Sequence, residues 1–150
     1  MRAALLAASF AAAFVSACGP PPVSHYEALQ DELSIPTGWE RTTERVQAPG
    51  TSLSCPTILP GCPRVTRYFV ASGTPTDVFP QAKQILVTAG FTIRTEYPDC
   101  AAPPQSPACS MFSIRDGDAL DINVYNPGDD SDVVGARNDR VLVRISASAK

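Results

Sequence analysis

Five cysteines set the tightest limits on how this 150-residue chain can fold, because an odd number cannot all pair. Cys55 and Cys62 bracket the stretch PTILPG, and Cys100 and Cys109 bracket AAPPQSPA, so two proline-rich loops each carry a cysteine at both ends. Four cysteines allow three pairings. The two local ones, Cys55 with Cys62 and Cys100 with Cys109, need no long-range coincidence, and in the chain-entropy view each bridge is worth about 2.5 kcal/mol. A four-cysteine zinc centre fits poorly: structural zinc pairs hold about two to four residues between ligands, whereas here the gaps are six and eight. The C-x-x-C spacing of redox-active thiols does not occur.

The fifth cysteine, Cys18, stands apart in the stretch FVSACGPPP. Before it lie one basic residue, Arg2, and an unbroken run of Ala, Leu, Ser, Phe and Val from Ala3 to Val15. That run is the length of the apolar region of an export signal, short of the roughly 20 residues that cross a bilayer. Val15, Ser16, Ala17 and Cys18 resemble the lipobox of bacterial lipoproteins, an aliphatic residue and two small residues before cysteine, with Val15 where leucine is commonest. The resemblance implies a diacylglycerol on the Cys18 thiol, cleavage just before it, and a membrane-anchored domain on the extracytoplasmic side of the cell envelope. It also accounts for the odd thiol and makes oxidation of the other four plausible.

The segments are then 1–17, a signal peptide; 18–23, the lipidated cysteine with a proline-rich spacer; and 24–150, a single domain. Loss of the signal leaves 133 residues with 11 basic against 15 acidic side chains. The basic residues are scattered along the chain, which gives no electrostatic support to a nucleic-acid partner. Only Lys83 and Lys150 are lysines, while alanine, proline and arginine abound, and in general layout the mature part resembles the small uncharacterised lipoproteins of actinobacteria. That layout carries no functional residues across.

Periodicity then gives the elements. In SHYEALQDEL, Ser24 and Glu27 have capping-box spacing and Tyr26, Leu29 and Leu33 recur at helical intervals, predicting a short helix before Pro36. A main helix follows Thr74–Asp77, with Val78, Ala82, Ile85, Leu86 and Ala89 in one stripe and Gly90 as its stop; Pro80 fits if the first turn begins near Thr76 or Asp77. Strands are expected from Trp39, from Arg64 to Ala71, from Phe91, and from Val141, where Val141, Val143, Ile145 and Ala147 alternate. Between them CSMFSIRDGDALDINVYN reads as a hairpin, with Phe112 and Ile114 on the apolar face opposite Leu120, Ile122 and Val124, and with a three-residue loop Arg115–Gly117. The predicted class is α+β: two layers, an antiparallel sheet of about five strands covered on one face by one main helix, plus the short N-terminal helix.

Few residues point to chemistry. Asp130, Asp132 and Gly135 match three EF-hand positions, but Val134 and Val141 occupy two others, leaving only an irregular cation site at Asp129, Asp130 and Asp132 to set against a solvated turn. His25, the sole histidine, lies beside the spacer and reads as a solvated first-turn residue. Asp116 and Asp118 flank a hairpin tip, where turn chemistry explains them. No catalytic residue, metal or cofactor is therefore expected. The expected role is non-catalytic binding or scaffolding of an envelope protein or cell-wall component. The alternatives are a carrier of a small apolar ligand and a carboxylate-dependent hydrolase. Trp39, the only tryptophan, reads first as a core or rim anchor, with the edge strand it opens as a possible partner-binding site.

Overall fold

Strict alternation in the C-terminal strand organises the domain: Val141, Val143, Ile145 and Ala147 are all fully buried on one face, and such a strand is most stable at the centre of a sheet. A computed structural model describes residues 21–47, 62–100, 107–128 and 139–150. In it six strands form one open antiparallel sheet in the order β1-β2-β6-β5-β4-β3. They are β1 (Glu40–Gln47), β2 (Arg64–Ala71), β3 (Thr92–Tyr97), β4 (Cys109–Arg115), β5 (Asp118–Tyr125) and β6 (Val141–Ala149). Helix α1 (Val23–Asp31) precedes β1 and helix α2 (Pro75–Thr88) links β2 to β3. Helix α1 packs on β2 and β6, and α2 on β3, β4 and β5, so both helices share one face of the sheet.

The main core lies in that layer. Tyr26 and Leu29 of α1, Val78, Ala82 and Leu86 of α2, and Val65, Leu120, Ile122, Val124 and Ile145 of the sheet pack into one cluster. Each fully buried aliphatic side chain contributes about 1.5–3 kcal/mol relative to exposure. Trp39 belongs to it, tilted against Phe69 with centroids 6.2 Å apart, and its indole N–H donates to Gln81 Oε1 at 3.2 Å.

Local chemistry explains the ends of α2. Thr74 Oγ1 accepts from the Asp77 amide while the Asp77 carboxylate accepts from the Thr74 amide, a reciprocal capping box. The Thr74 hydroxyl and amide hold the Asp77 carboxyl below its ordinary range. At the other end Gly90 has φ +78°, and the amides of Gly90 and Phe91 reach back to Val87 O (3.1 Å) and Leu86 O (2.9 Å), closing a Schellman turn. Arg115 donates to the last-turn carbonyl of Ala89 at 2.6 Å and stacks over Phe91 at 4.7 Å.

Four local expectations are corrected. Helix α2 starts at Pro75, so Pro80 sits in its second turn rather than its first, on the exposed side of the helix, where its missing N–H costs one intrahelical hydrogen bond. Helix α1 starts at Val23 with extended Pro22 (ψ 159°) as its N-cap and no side-chain cap bond; Ser24 therefore falls inside the first turn, where its hydroxyl cannot cap. In the hairpin, Phe112 pairs with Asp121 and Met111 with Ile122, so Cys109, Met111 and Ser113 face the core and Phe112 and Ile114 the other side. The cause is the two-residue turn Asp116-Gly117, with φ +50° and +93°, whose twist matches that of the strands. Finally, His25 is not merely solvated: its Nε2 lies 2.8 Å from Asp118 Oδ1, tying the start of α1 to the hairpin.

Candidate functional site

Committing Val65, Phe69 and Ala71 to the core turns Arg64, Thr66, Tyr68 and Val70 to the opposite face of β2. The same alternation turns Leu142, Arg144, Ser146 and Ser148 on β6 and Arg45 and Gln47 on β1 toward that second face. Register then aligns them in rows across the sheet. Arg45 lies opposite Thr66 and Thr66 opposite Ser146, and Ser146 lies opposite Asp121, which faces Phe112. The adjacent row runs from Tyr68 through Arg144 to Asn123. A small second cluster of Tyr68, Val70, Tyr125 and Leu142 gives this face its own apolar patch.

The guanidinium groups are held by aromatic rings. Arg45 lies over Tyr68, 5.4 Å from the ring centroid, and Arg144 lies over Tyr125 at 5.7 Å. Such cation–π contacts are worth about 0.5–1 kcal/mol at exposed positions and more when desolvated. Between them the hydroxyls of Thr66 and Ser146 are 3.0 Å apart and buried. A pocket of about 220 Å³ opens above these groups, lined by Arg45, Gln47, Arg64, Thr66, Arg144 and Ser146 among others. The Nε–H of Arg144 is shut off from solvent and has no acceptor among the described residues.

Among the described residues, Asp121 is the carboxylate that faces this array. Burial pushes the Asp121 carboxyl above its ordinary range, and the charge of Arg144, a hydrogen bond from Asn123 and the charge of Arg64 pull the other way. On the helix side a different arginine, Arg67, points inward and is nearly inaccessible. Burial disfavours its charge, but the carboxylates of Glu44 and Asp31 accept from it and hold it protonated above its ordinary value. Its charge is thereby spent within the fold, whereas Arg45 and Arg144 line an open pocket. A further concavity of about 320 Å³, shallow and apolar, lies beside α2 between Pro36, Gln84, Ile85 and Thr88.

The residues singled out from sequence fall elsewhere. Cys100 and Cys109 are bonded, with Cα atoms 4.8 Å apart. Cys62 is buried just before β2, and Cys18 and Cys55 lie outside the described residues, as do Asp129, Asp130 and Asp132. Trp39 is 9 % exposed, so a partner meeting β1 would meet backbone and charged side chains there. That edge carries a bulge between Arg41 and Thr43 and alternating charges, features that discourage strand addition. Missed altogether were Arg45, Arg64, Arg144 and Asp121. The available signal was the parity of arginine in RVTRYFVA and RVLVRISA, where Arg64 and Arg144 fall out of phase with the apolar set.

No protein-family model, curated protein or solved structure matches this chain.

Proposed function

We propose that the protein is a lipid-anchored domain of the bacterial cell envelope that binds or scaffolds a partner without catalysis, and that it does so with the sheet face opposite its helices. The anchor rests on the lipobox-like residues ending at Cys18, with the membrane as its first partner. The binding role rests on one observation: arginines stacked on Tyr68 and Tyr125 surround a pocket floored by the hydroxyls of Thr66 and Ser146. Aromatic rings and arginine are the side chains that dominate binding surfaces, because they offer large contact area with few rotamers to freeze.

A surface role also accords with the interior. Tyr26, Val78, Leu86, Leu120, Ile122 and Ile145 fill the space between helices and sheet, each essentially inaccessible, which favours a packed core over an enclosed apolar ligand. The partner is an envelope protein or a cell-wall component.

The test separates binding from anchoring. The Cys18→Ser protein, which carries no lipid, is added to envelope preparations from cells lacking the protein. The proposal predicts saturable sedimentation with the envelope that Arg45→Gln and Arg144→Gln abolish. Non-saturable sedimentation, or sedimentation unaffected by those changes, overturns it.

A further inference from the structure

The chemistry of the second-face pocket is specific enough to name a ligand class. Its floor consists of two hydroxyls 3.0 Å apart that share one hydrogen bond, leaving a second O–H able to donate upward. Its rim carries Arg45 and Arg144, each fixed over an aromatic ring at 5.4 and 5.7 Å. Stacking immobilises a guanidinium without consuming its N–H donors, and those donors form a rigid fork that matches an oxyanion. The Nε–H of Arg144, buried without an acceptor among the described residues, is a donor still to be satisfied. A cation would be repelled here, and an apolar ligand would strand the hydroxyls and guanidinium groups without hydrogen bonds.

We propose that the pocket between β1, β2 and β6 is a binding site for a small oxyanion, a phosphate or carboxylate group, gripped by Arg45 and Arg144 above the hydroxyls of Thr66 and Ser146. This rests on the reading of that face as the binding face and adds the chemistry by which a partner is held. Asp121, beyond Ser146, is the built-in competitor for Arg144. It limits the charge of the unoccupied face and sets the oxyanion the task of displacing a weak internal interaction.

The experiment is an NMR titration of the purified protein, following the backbone amides of Thr66 and Ser146 and the Nε–H signals of the arginines. Sodium phosphate and sodium acetate are each compared with sodium chloride at equal ionic strength. The proposal predicts saturable shifts at Thr66, Ser146, Arg45 and Arg144 with phosphate or acetate and none with chloride; the tighter of the two identifies the oxyanion. Arg45→Gln, at an exposed edge position, should weaken binding about tenfold or more, the loss of charge-assisted contacts, and Arg144→Gln should do the same. Arg140→Gln, whose guanidinium is engaged by Glu40 and Val70 O, should leave binding unchanged. Shifts that match chloride, fail to saturate, or survive Arg45→Gln overturn the assignment. The titration contains neither membrane nor partner, so its failure leaves the envelope-sedimentation result standing, and the converse holds.

Discussion

Replacing Gln30 with glutamate would place a carboxyl where the fold demands a donor. Gln30, on α1, is 3 % exposed, and its Nε2 donates to Val65 O at 2.6 Å and Ile145 O at 3.0 Å, clasping β2 and β6 together. A carboxylate there would be desolvated and would face two carbonyl oxygens. A protonated carboxyl could still donate to one of them. Both effects raise the folded-state pKa, by about 3 units at the low end of the range for fully buried carboxyls. At about 1.36 kcal/mol per unit, the ionised form costs about 4 kcal/mol, beyond the roughly 1 kcal/mol for the second lost hydrogen bond.

The sign follows from linkage. A carboxyl with a raised folded pKa retains its stability below its unfolded value, near 4.3, and loses it as pH rises through the folded value. Gln30→Glu should therefore cost about 1 kcal/mol near pH 4 and about 5 kcal/mol near pH 8, a large part of the total stability of a domain this size. Urea unfolding at both pH values, each against the unsubstituted protein, measures the difference. Gln30→Met, which loses both hydrogen bonds but carries no charge, should show one cost of about 2 kcal/mol, the same at both pH values. Equal costs for Gln30→Glu at the two pH values would refute the reasoning, since they would mean that the side chain reaches water.

Burial raises the folded pKa of Asp121, so its contribution to stability is present below the usual carboxylate range and falls as pH rises through the folded value. Asp121→Asn should flatten that decline, read as a smaller difference in urea midpoint between pH 4 and pH 8. Replacing Cys100 and Cys109 together by alanine removes a bridge across a sequence separation of 9; unfolding should show a loss of roughly 2.5 kcal/mol by the chain-entropy argument, and no change would deny the bridge a structural role. Cys18→Ser should abolish acylation and move the protein out of the membrane fraction, as seen by metabolic lipid labelling and fractionation, and an unchanged membrane signal would remove the anchor.

Particular residues show how far the sequence carries the fold. The stripe Val78, Ala82, Ile85 and Leu86 has one helical phase, and β6 one strand phase, so both elements and the α+β class were legible in periodicity. Strand β4 was not, because it is apolar on both faces: Phe112 and Ile114 compete with Cys109 and Met111, and the phase is decided by the twist of the Asp116-Gly117 turn. Arg67 sits at an inward position that pattern alone assigns to an apolar residue; only the approach of Asp31 and Glu44 makes it tolerable. The candidate site was the least legible. Arg45 meets Thr66 across the β1–β2 pairing, and Ser146, far along the chain, joins them only because β6 inserts between β2 and β5.

The proposed partner-binding surface is the sheet face opposite the helices. It is tested most directly by photo-crosslinking in living cells, with the reactive amino acid placed either at Gln47, exposed beside the arginine pocket, or at Val87, 54 % exposed on α2. Discrete adducts are expected from position 47, disappearing when Arg144→Gln is added, and none from position 87. Adducts from position 87 with none from position 47 would contradict it.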